Sequence, residues 1–245
     1  MSQLTLNEPG QYKSFSGSNI EQMPKLIKEG RLPISVAGLM QRRLDVLDSN
    51  VSEEVRDSWW NNYFDTGDAP AYDTQGNLKI ILDAQPLREL TPQSKLQNGA
   101  LVLPEGTYTG LPEDEFTKEQ LAHYTEKRLN KGESINNPLW RALARGDKTL
   151  LKEYDTAAFV RAKEFGYDPA MGIFLALPQD KESMRLWCLG SIINGQSDAS
   201  SGRSLGNVNG RFVGVAPEAH VAQKIGVSER IVAPTLEQVL LLAKE

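Results

Sequence analysis

The chain is poor in the residues from which small, cross-linked or metal-built folds are made. Its 245 residues include one cysteine, Cys188, and two histidines, His123 and His220. One cysteine cannot close an internal disulfide. With two histidines it falls short of the four Cys/His ligands of a structural zinc site, so neither device holds this fold. No apolar run approaches the roughly 18 uninterrupted residues of a membrane span, and the N-terminal MSQLTLNEPGQYKSF has neither the basic region nor the apolar core of a secretory signal. The compartment expected from those features is the cytoplasm, without membrane association. The nucleotide cradles G-x-x-x-x-G-K-[ST] and G-x-G-x-x-G are both missing. Asp65-Thr66-Gly67 matches the triplet of aspartic proteases, but it occurs once and continues with Asp68. The shared-proton dyad of those enzymes needs two copies.

What is present is an ordinary globular composition: 40% hydrophobic and 24% charged residues, with 32 carboxylates against 27 Lys plus Arg. A chain of this size buries enough apolar surface to fold without staples. A net charge of -5 argues against non-specific coating of nucleic acid, which depends on neutralising many phosphates. The charge is nevertheless polarised. Asp45, Asp48, Glu53, Glu54, Asp57, Asp65, Asp68, Asp73 and Asp83 face only Arg56 and Lys79 in their stretch. Lys127, Arg128, Lys131, Arg141, Arg145, Lys148, Lys152, Arg161 and Lys163 outnumber the four carboxylates among them.

Periodicity and capping residues outline the elements. Residues 1–24 are polar and broken by Gly10, Gly17 and Pro24, which predicts an N-terminal arm with little regular structure, followed by a single α+β domain over 25–245. Ser35 caps a predicted helix with Val36, Leu39, Met40, Leu44 and Leu47 on one stripe. Ser52 starts another, running to about Phe64, with Val55, Trp59 and Tyr63 on one face; the bulk of adjacent Trp59 and Trp60 favours burial of both. Leu78, Ile80 and Leu82 alternate as a strand after a turn at 73–77. Pro104-Glu105-Gly106 suggests a hairpin joining 100–103 to 107–111. Thr117 and Gln120 form a capping box for a helix through Leu129, and Asn137-Pro138 opens one that ends at Gly146. A long helix over 147–165 stops at Gly166. Apolar runs at 171–177, 184–193 and 211–216 read as buried strands, and a second capping box, Thr235 with Gln238, begins a C-terminal helix. Helices thus predominate in the first two thirds, and a mixed or antiparallel sheet is built largely from the last third, the pattern of an α+β fold.

Three constellations carry candidate chemistry. Asp65, Asp68 and Asp73, with Asp83 nearby, are hard oxygen ligands on a glycine-containing loop beside a strand. They are the candidate catalytic set for a hydrolase or phosphoryl-transfer enzyme using a divalent metal; no other cofactor is expected. The spacing departs from the calcium-loop pattern, and turn chemistry accounts for Asp73 and Gly76 as well. The second is the polar loop 194–210, rich in glycine and serine, where Ser197, Asp198, Arg203, Asn207 and the following Arg211 are the candidate ligand-binding residues and the arginines could clamp an anion. The third is the basic segment 127–163, the only route by which nucleic acid would be bound, with pairing to the acidic 45–83 as the simpler account. Cys188, inside an apolar run, reads as a core residue. Each catalytic signal is matched by a structural explanation. The leading expectation is therefore a soluble intracellular binding protein with a protein partner, ahead of the metal-dependent enzyme and of a structural subunit in a larger assembly.

Overall fold

The computed structural model describes residues 4–6, 10–112, 115–125, 127–195 and 197–217. The expected helix over 235–245 and His220 lie outside them. Two sheets and a set of helices form an α+β structure. The first sheet runs Tyr12–Ser16, Arg211–Val215, Phe64–Asp65, Cys188–Leu189, Ala199–Ser200, Ile173–Phe174, with Leu32–Pro33 also paired to Arg211–Val215. It is mixed: Ala199–Ser200 runs parallel to Ile173–Phe174, and Phe212 pairs with Asp65 in parallel. The second runs Leu96–Gln97, Ala100–Val102, Ser183–Met184, Ala69–Tyr72, Leu78–Ile81, Glu115–Phe116, antiparallel throughout.

Two segments pass through both sheets and tie them together. Residues 64–72 and 183–189 run antiparallel, pairing Phe64 with Leu189 in the first sheet and Tyr72 with Ser183 in the second. Between the sheets the ladder continues, with the Trp187 N–H donating to the Asp68 carbonyl (2.9 Å) and the Thr66 N–H to the Trp187 carbonyl (2.8 Å). Unbroken backbone pairing satisfies the polar groups of a stretch buried on both faces. This is why the segment 184–193 is not one long strand: it bends from one sheet into the other and ends in a short helix, Ile192–Gly195.

The helices follow their caps. Val36–Asp48 begins where the Gly38 N–H reaches Ser35 Oγ (3.0 Å), and Lys148–Glu164 where the Leu150 N–H reaches Asp147 Oδ1 (2.9 Å). The latter ends at Phe165 with Gly166 at φ +76°, a left-handed conformation that favours glycine. Both helices pack with Glu53–Trp60 over the first sheet, and Trp59, Trp60, Trp140 and Trp187 are fully buried in that core. Each such side chain removes roughly 150–250 Å² from water, worth about 4–6 kcal/mol. A second core collects Phe15, Met23, Leu26, Leu87, Met184 and Phe212.

Several sequence expectations are corrected. Residues 12–16 are a sheet strand and Asn19–Lys28 a helix carrying buried Met23 and Leu26, so more than half of the described part of the expected arm has regular structure; polar residues there occupy outer positions of real elements. The sheets draw strands from every third of the chain, because short two-residue strands escape a periodicity test. Residues 108–110 form a 3-10 turn; Ala100–Val102 instead pairs with Leu96–Gln97 around Asn98-Gly99, both at positive φ, and with Ser183–Met184. The capping-box helix ends at Tyr124, leaving Leu129 to bridge Ala170, and Glu53–Trp60 ends before Tyr63.

Candidate functional site

The polar loop divides into a buried scaffold and an exposed tip. Ser197, Asp198 and Ser201 face inward, contrary to the expectation that so polar a loop stays out of the core. Burial is tolerated because each polar atom finds a partner. Ser197, at φ +64°, hydrogen-bonds Tyr154 and accepts from Arg43 Nη1 (3.2 Å). Asp198 accepts from the Gly172 N–H (2.6 Å) and from Arg128 Nε (3.0 Å); burial nonetheless raises its pKa above 3.8, against those two donors. Ser201 Oγ meets Tyr72 (2.7 Å) and the Ala176 N–H (2.9 Å).

Beneath them Arg43 is fully buried with no carboxylate within 4 Å among the described residues. Its guanidinium donates to the carbonyls of Trp59 (2.9 Å), Asn62 (2.9 Å) and Gly190 (2.8 Å) and to the Tyr154 hydroxyl (2.7 Å). One side chain in the middle of Val36–Asp48 thereby ties the end of Glu53–Trp60 and the middle of Lys148–Glu164 to the segment before the loop. Arg185, also buried, donates from Nη1 to the Arg203 carbonyl (3.0 Å) and from Nη2 to the Asn98 carbonyl, and so joins the loop to the Asn98-Gly99 turn. The Leu205 N–H donates to the Gly99 carbonyl (2.8 Å), and a Cβ at Gly99 would sit 2.3 Å from Ser204 Oγ, so that contact requires glycine. Asn98 Nδ2 donates in turn to Gln179 Oε1 (2.6 Å).

Three segments therefore meet on one face: 98–99, 175–179 and 202–209. They bear Leu177 and Val208, 82% and 70% exposed, the two most exposed large hydrophobic side chains among the described residues. Asn207 is exposed at the tip, its Oδ1 accepting from the Asn209 N–H (2.9 Å). Alongside lies Tyr63, whose hydroxyl donates to the Asn209 carbonyl. The guanidinium carbon of Arg203 is 3.6 Å from the Tyr63 ring centre and that of Arg211 5.5 Å, while Arg211 Nη1 donates to Asn62 Oδ1. Both cations stack on the aromatic face at distances where the ring quadrupole attracts them.

The candidate carboxylates do not share a site. Asp65 is fully buried near Arg203 and accepts from the Arg211 N–H (2.8 Å), while its Oδ1 has no hydrogen-bond partner. Burial raises its pKa above 3.8, outweighing that N–H and the Arg203 charge. Asp68 accepts from the N–H groups of Val36 (2.7 Å) and Asp83 (2.9 Å) and from Arg145 (3.3 Å), so it caps a helix from across the fold; burial raises its pKa too, against Arg145 and those N–H groups. Asp73 closes the 73–77 turn, accepting from the N–H groups of Gln75 (2.9 Å) and Asn77 (2.8 Å). Among the described residues no group of three or more His, Cys, Asp or Glu is placed to hold a metal ion. Cys188 is buried and its thiol is pushed up, mainly by burial, which keeps it protonated; His123 is exposed. Thus Asp65, Arg203 and Arg211 come together, Asn207 stands at the tip beside them, and Asp68, Asp73, Ser197 and Asp198 serve local structure. Asn62 and Tyr63 were missed because the aromatic spacing assigned Tyr63 to a helix; the pair Asn61-Asn62, poor helix formers, was the available sign that the helix had ended.

The charge segments pair within the molecule. Arg145 meets Asp68 (3.3 Å) and Asp83 (3.1 Å), and Arg161 meets Asp57 (3.3 Å). Arg141, Lys148, Lys152 and Lys163 remain exposed.

No family model matches the sequence, and no curated protein matches it. Among solved structures the chain is similar to one described as "Accommodation of massive sequence variation in Nanoarchaeota by the C-type lectin fold", with a TM-score of 0.60 and 16% identity over 86% of this chain and 100% of that one. That likeness is one of fold: the chain's α+β architecture is similar to a C-type lectin fold. Among the described residues no helix is long and apolar enough to cross a membrane.

Proposed function

We propose that the chain is a binding protein, located in the cytoplasm, whose partner is another protein and whose binding face is formed by 98–99, 175–179 and 202–209 with Tyr63. The observation that carries the reading is the division of the loop. Its buried half is held by Arg43, Arg128 and Tyr72, and its outer half presents exposed Asn207 and Val208 with half-buried Arg203, next to the segment 175–179 that bears exposed Leu177. A rigid support under a mixed apolar, aromatic and arginine surface is the composition of interface hot spots. The similar structure is described as accommodating massive sequence variation; the same division here supports a face whose exposed residues can change at little cost to the fold. The exposed cations of 127–163 are a weaker basis for nucleic acid, since Arg145 and Arg161 are already paired with carboxylates. The metal-dependent reading draws no support from three carboxylates that accept hydrogen bonds in three separate settings.

The test is a Leu177→Asp, Val208→Asp double variant screened beside the unaltered chain on arrays of proteins and glycans. Protein binders lost by the variant at unchanged melting temperature support the reading. Binders that ignore the substitutions refute it.

A further inference from the structure

The Arg203 guanidinium has an aromatic platform and, among the described residues, no carboxylate within 4 Å. It stacks on Tyr63 at 3.6 Å, half-buried, near Cys188 and Asp65. Among the described residues no ion pair within 4 Å involves Arg203 or Arg211. Arg211 is 5% exposed, and its Nε is buried without a hydrogen-bond partner. Two guanidiniums therefore flank one ring, Arg211 with an unused Nε–H, and Asp65, the carboxylate near them among the described residues, is engaged through Oδ2 by the Arg211 backbone. Even with Asp65 ionised, the cluster carries one uncompensated positive charge. Arg203 touches the Tyr63 hydroxyl and the Cys188 thiol but no carboxylate within 4 Å among the described residues, and a half-desolvated guanidinium without an acid partner is the chemistry that receives a carboxylate edge-on in two parallel hydrogen bonds.

We propose that Tyr63, Arg203 and Arg211 form a carboxylate socket on this face, taking an acidic side chain of a protein partner. The inference rests on the loop-face reading and names what that face recognises. Two features favour a protein carboxylate over a phosphate chain or an acidic sugar. Val208, exposed on the loop that carries Arg203 and next to Asn209 whose carbonyl meets Tyr63, offers apolar contact beside the charged one, the arrangement in which an ion pair at an interface centre is kept from water. The net charge of -5 opposes a polyphosphate backbone, which needs many cations in register.

The test uses the full chain labelled with 15N and reads the side-chain Nε–Hε signals of Arg203 and Arg211, assigned with Arg203→Gln and Arg211→Lys variants. N-acetylglutamate is titrated in, beside N-acetylglutamine, glucuronate and inorganic phosphate. The socket predicts a saturable shift of the Arg203 signal by N-acetylglutamate, half-complete on the order of 10 mM, as suits one partly exposed charge pair, and no shift by N-acetylglutamine. Arg203→Gln should weaken the response of the Arg211 signal at least about tenfold, while Arg141→Gln, at an exposed cation outside the cluster, leaves the titration unchanged. Tighter binding of glucuronate or phosphate than of N-acetylglutamate overturns the assignment to a protein carboxylate. Absence of a saturable shift with any acid overturns the socket itself. The two readings fail separately: a negative titration leaves the array result of the double variant standing, and loss of the face reading leaves a positive titration intact.

Discussion

Replacing Arg43 by methionine should unfold the support under the binding loop at a cost that the structure allows to be worked out. The methionine fills most of the aliphatic volume but donates nothing, so the carbonyls of Trp59, Asn62 and Gly190 lose a charged donor. Tyr154 and Ser197 still hydrogen-bond each other. One buried acceptor, on Trp59, and two partly buried ones, on Asn62 and Gly190, cost roughly 1–3 kcal/mol each when left without that donor. Removing a buried cation that has no carboxylate partner returns a few kcal/mol of desolvation. The net expectation is about 4 kcal/mol, or a fall in Tm of roughly 8–16 °C for a domain of this length. Urea unfolding followed by tryptophan fluorescence measures it directly, because Trp60 stacks on Tyr154 beside the Arg43 guanidinium. The companion variant Arg203→Met, at a half-exposed side chain, should cost less than about 1 kcal/mol. If Arg43→Met cost as little as Arg203→Met, the distinction between buried support and exposed tip would be wrong.

Other perturbations probe single contacts. Arg145→Ala removes the charge shared by Asp68 and Asp83 and should cost about 2–3 kcal/mol in urea unfolding, falling well below that in an Asp83→Asn background; equal losses in both backgrounds would deny the coupling. Asp65 holds its proton more tightly folded than unfolded, so its contribution to stability is complete below pH 3.8 and is lost as pH rises through the raised native value. Asp65→Asn should therefore flatten the decline of Tm with pH above about 4, and an unchanged slope would contradict the raised value. At Gly99, φ +79° and a Cβ only 2.7 Å from Ser204 Cα make Gly99→Ala cost roughly 1–3 kcal/mol, with faster amide exchange at Leu205, whose N–H bonds Gly99; wild-type exchange would show the turn tolerates a side chain.

The sequence disclosed the elements whose physics is local. Ser35, Ser52, Thr117, Asn137 and Asp147 all cap the helices their spacing predicts, because a cap is satisfied within a few residues of chain. Strand order was hidden, since pairs such as Cys188 with Asp65 join residues far apart in sequence and two-residue strands have no period. Asn98-Gly99 was a readable hairpin signal, and it turned out to position the binding face. For the candidate site, the arginines Arg203 and Arg211 were visible as unusual cations in a polar loop. Their platform was not, because Tyr63 is brought to them only by the sheet that sets Asp65 beside Phe212. The inward turn of Ser197, Asp198 and Ser201 was equally illegible: polarity predicts exposure unless Arg43, Gly172 and Tyr72 are known to be waiting. The opposed charge segments were legible, and their intramolecular pairing follows from the long helix packing over the segment that holds Asp57.

The central claim is that the exposed tip of 202–209 is where this protein meets a partner. A photo-crosslinking amino acid at position 208, compared with one at position 160 on the exposed outer side of the long helix, tests it in native extract. The account predicts a discrete cross-linked protein from position 208 that disappears with Leu177→Asp and is absent from position 160. Cross-links of the same pattern from both positions, or their persistence with Leu177→Asp, would contradict it.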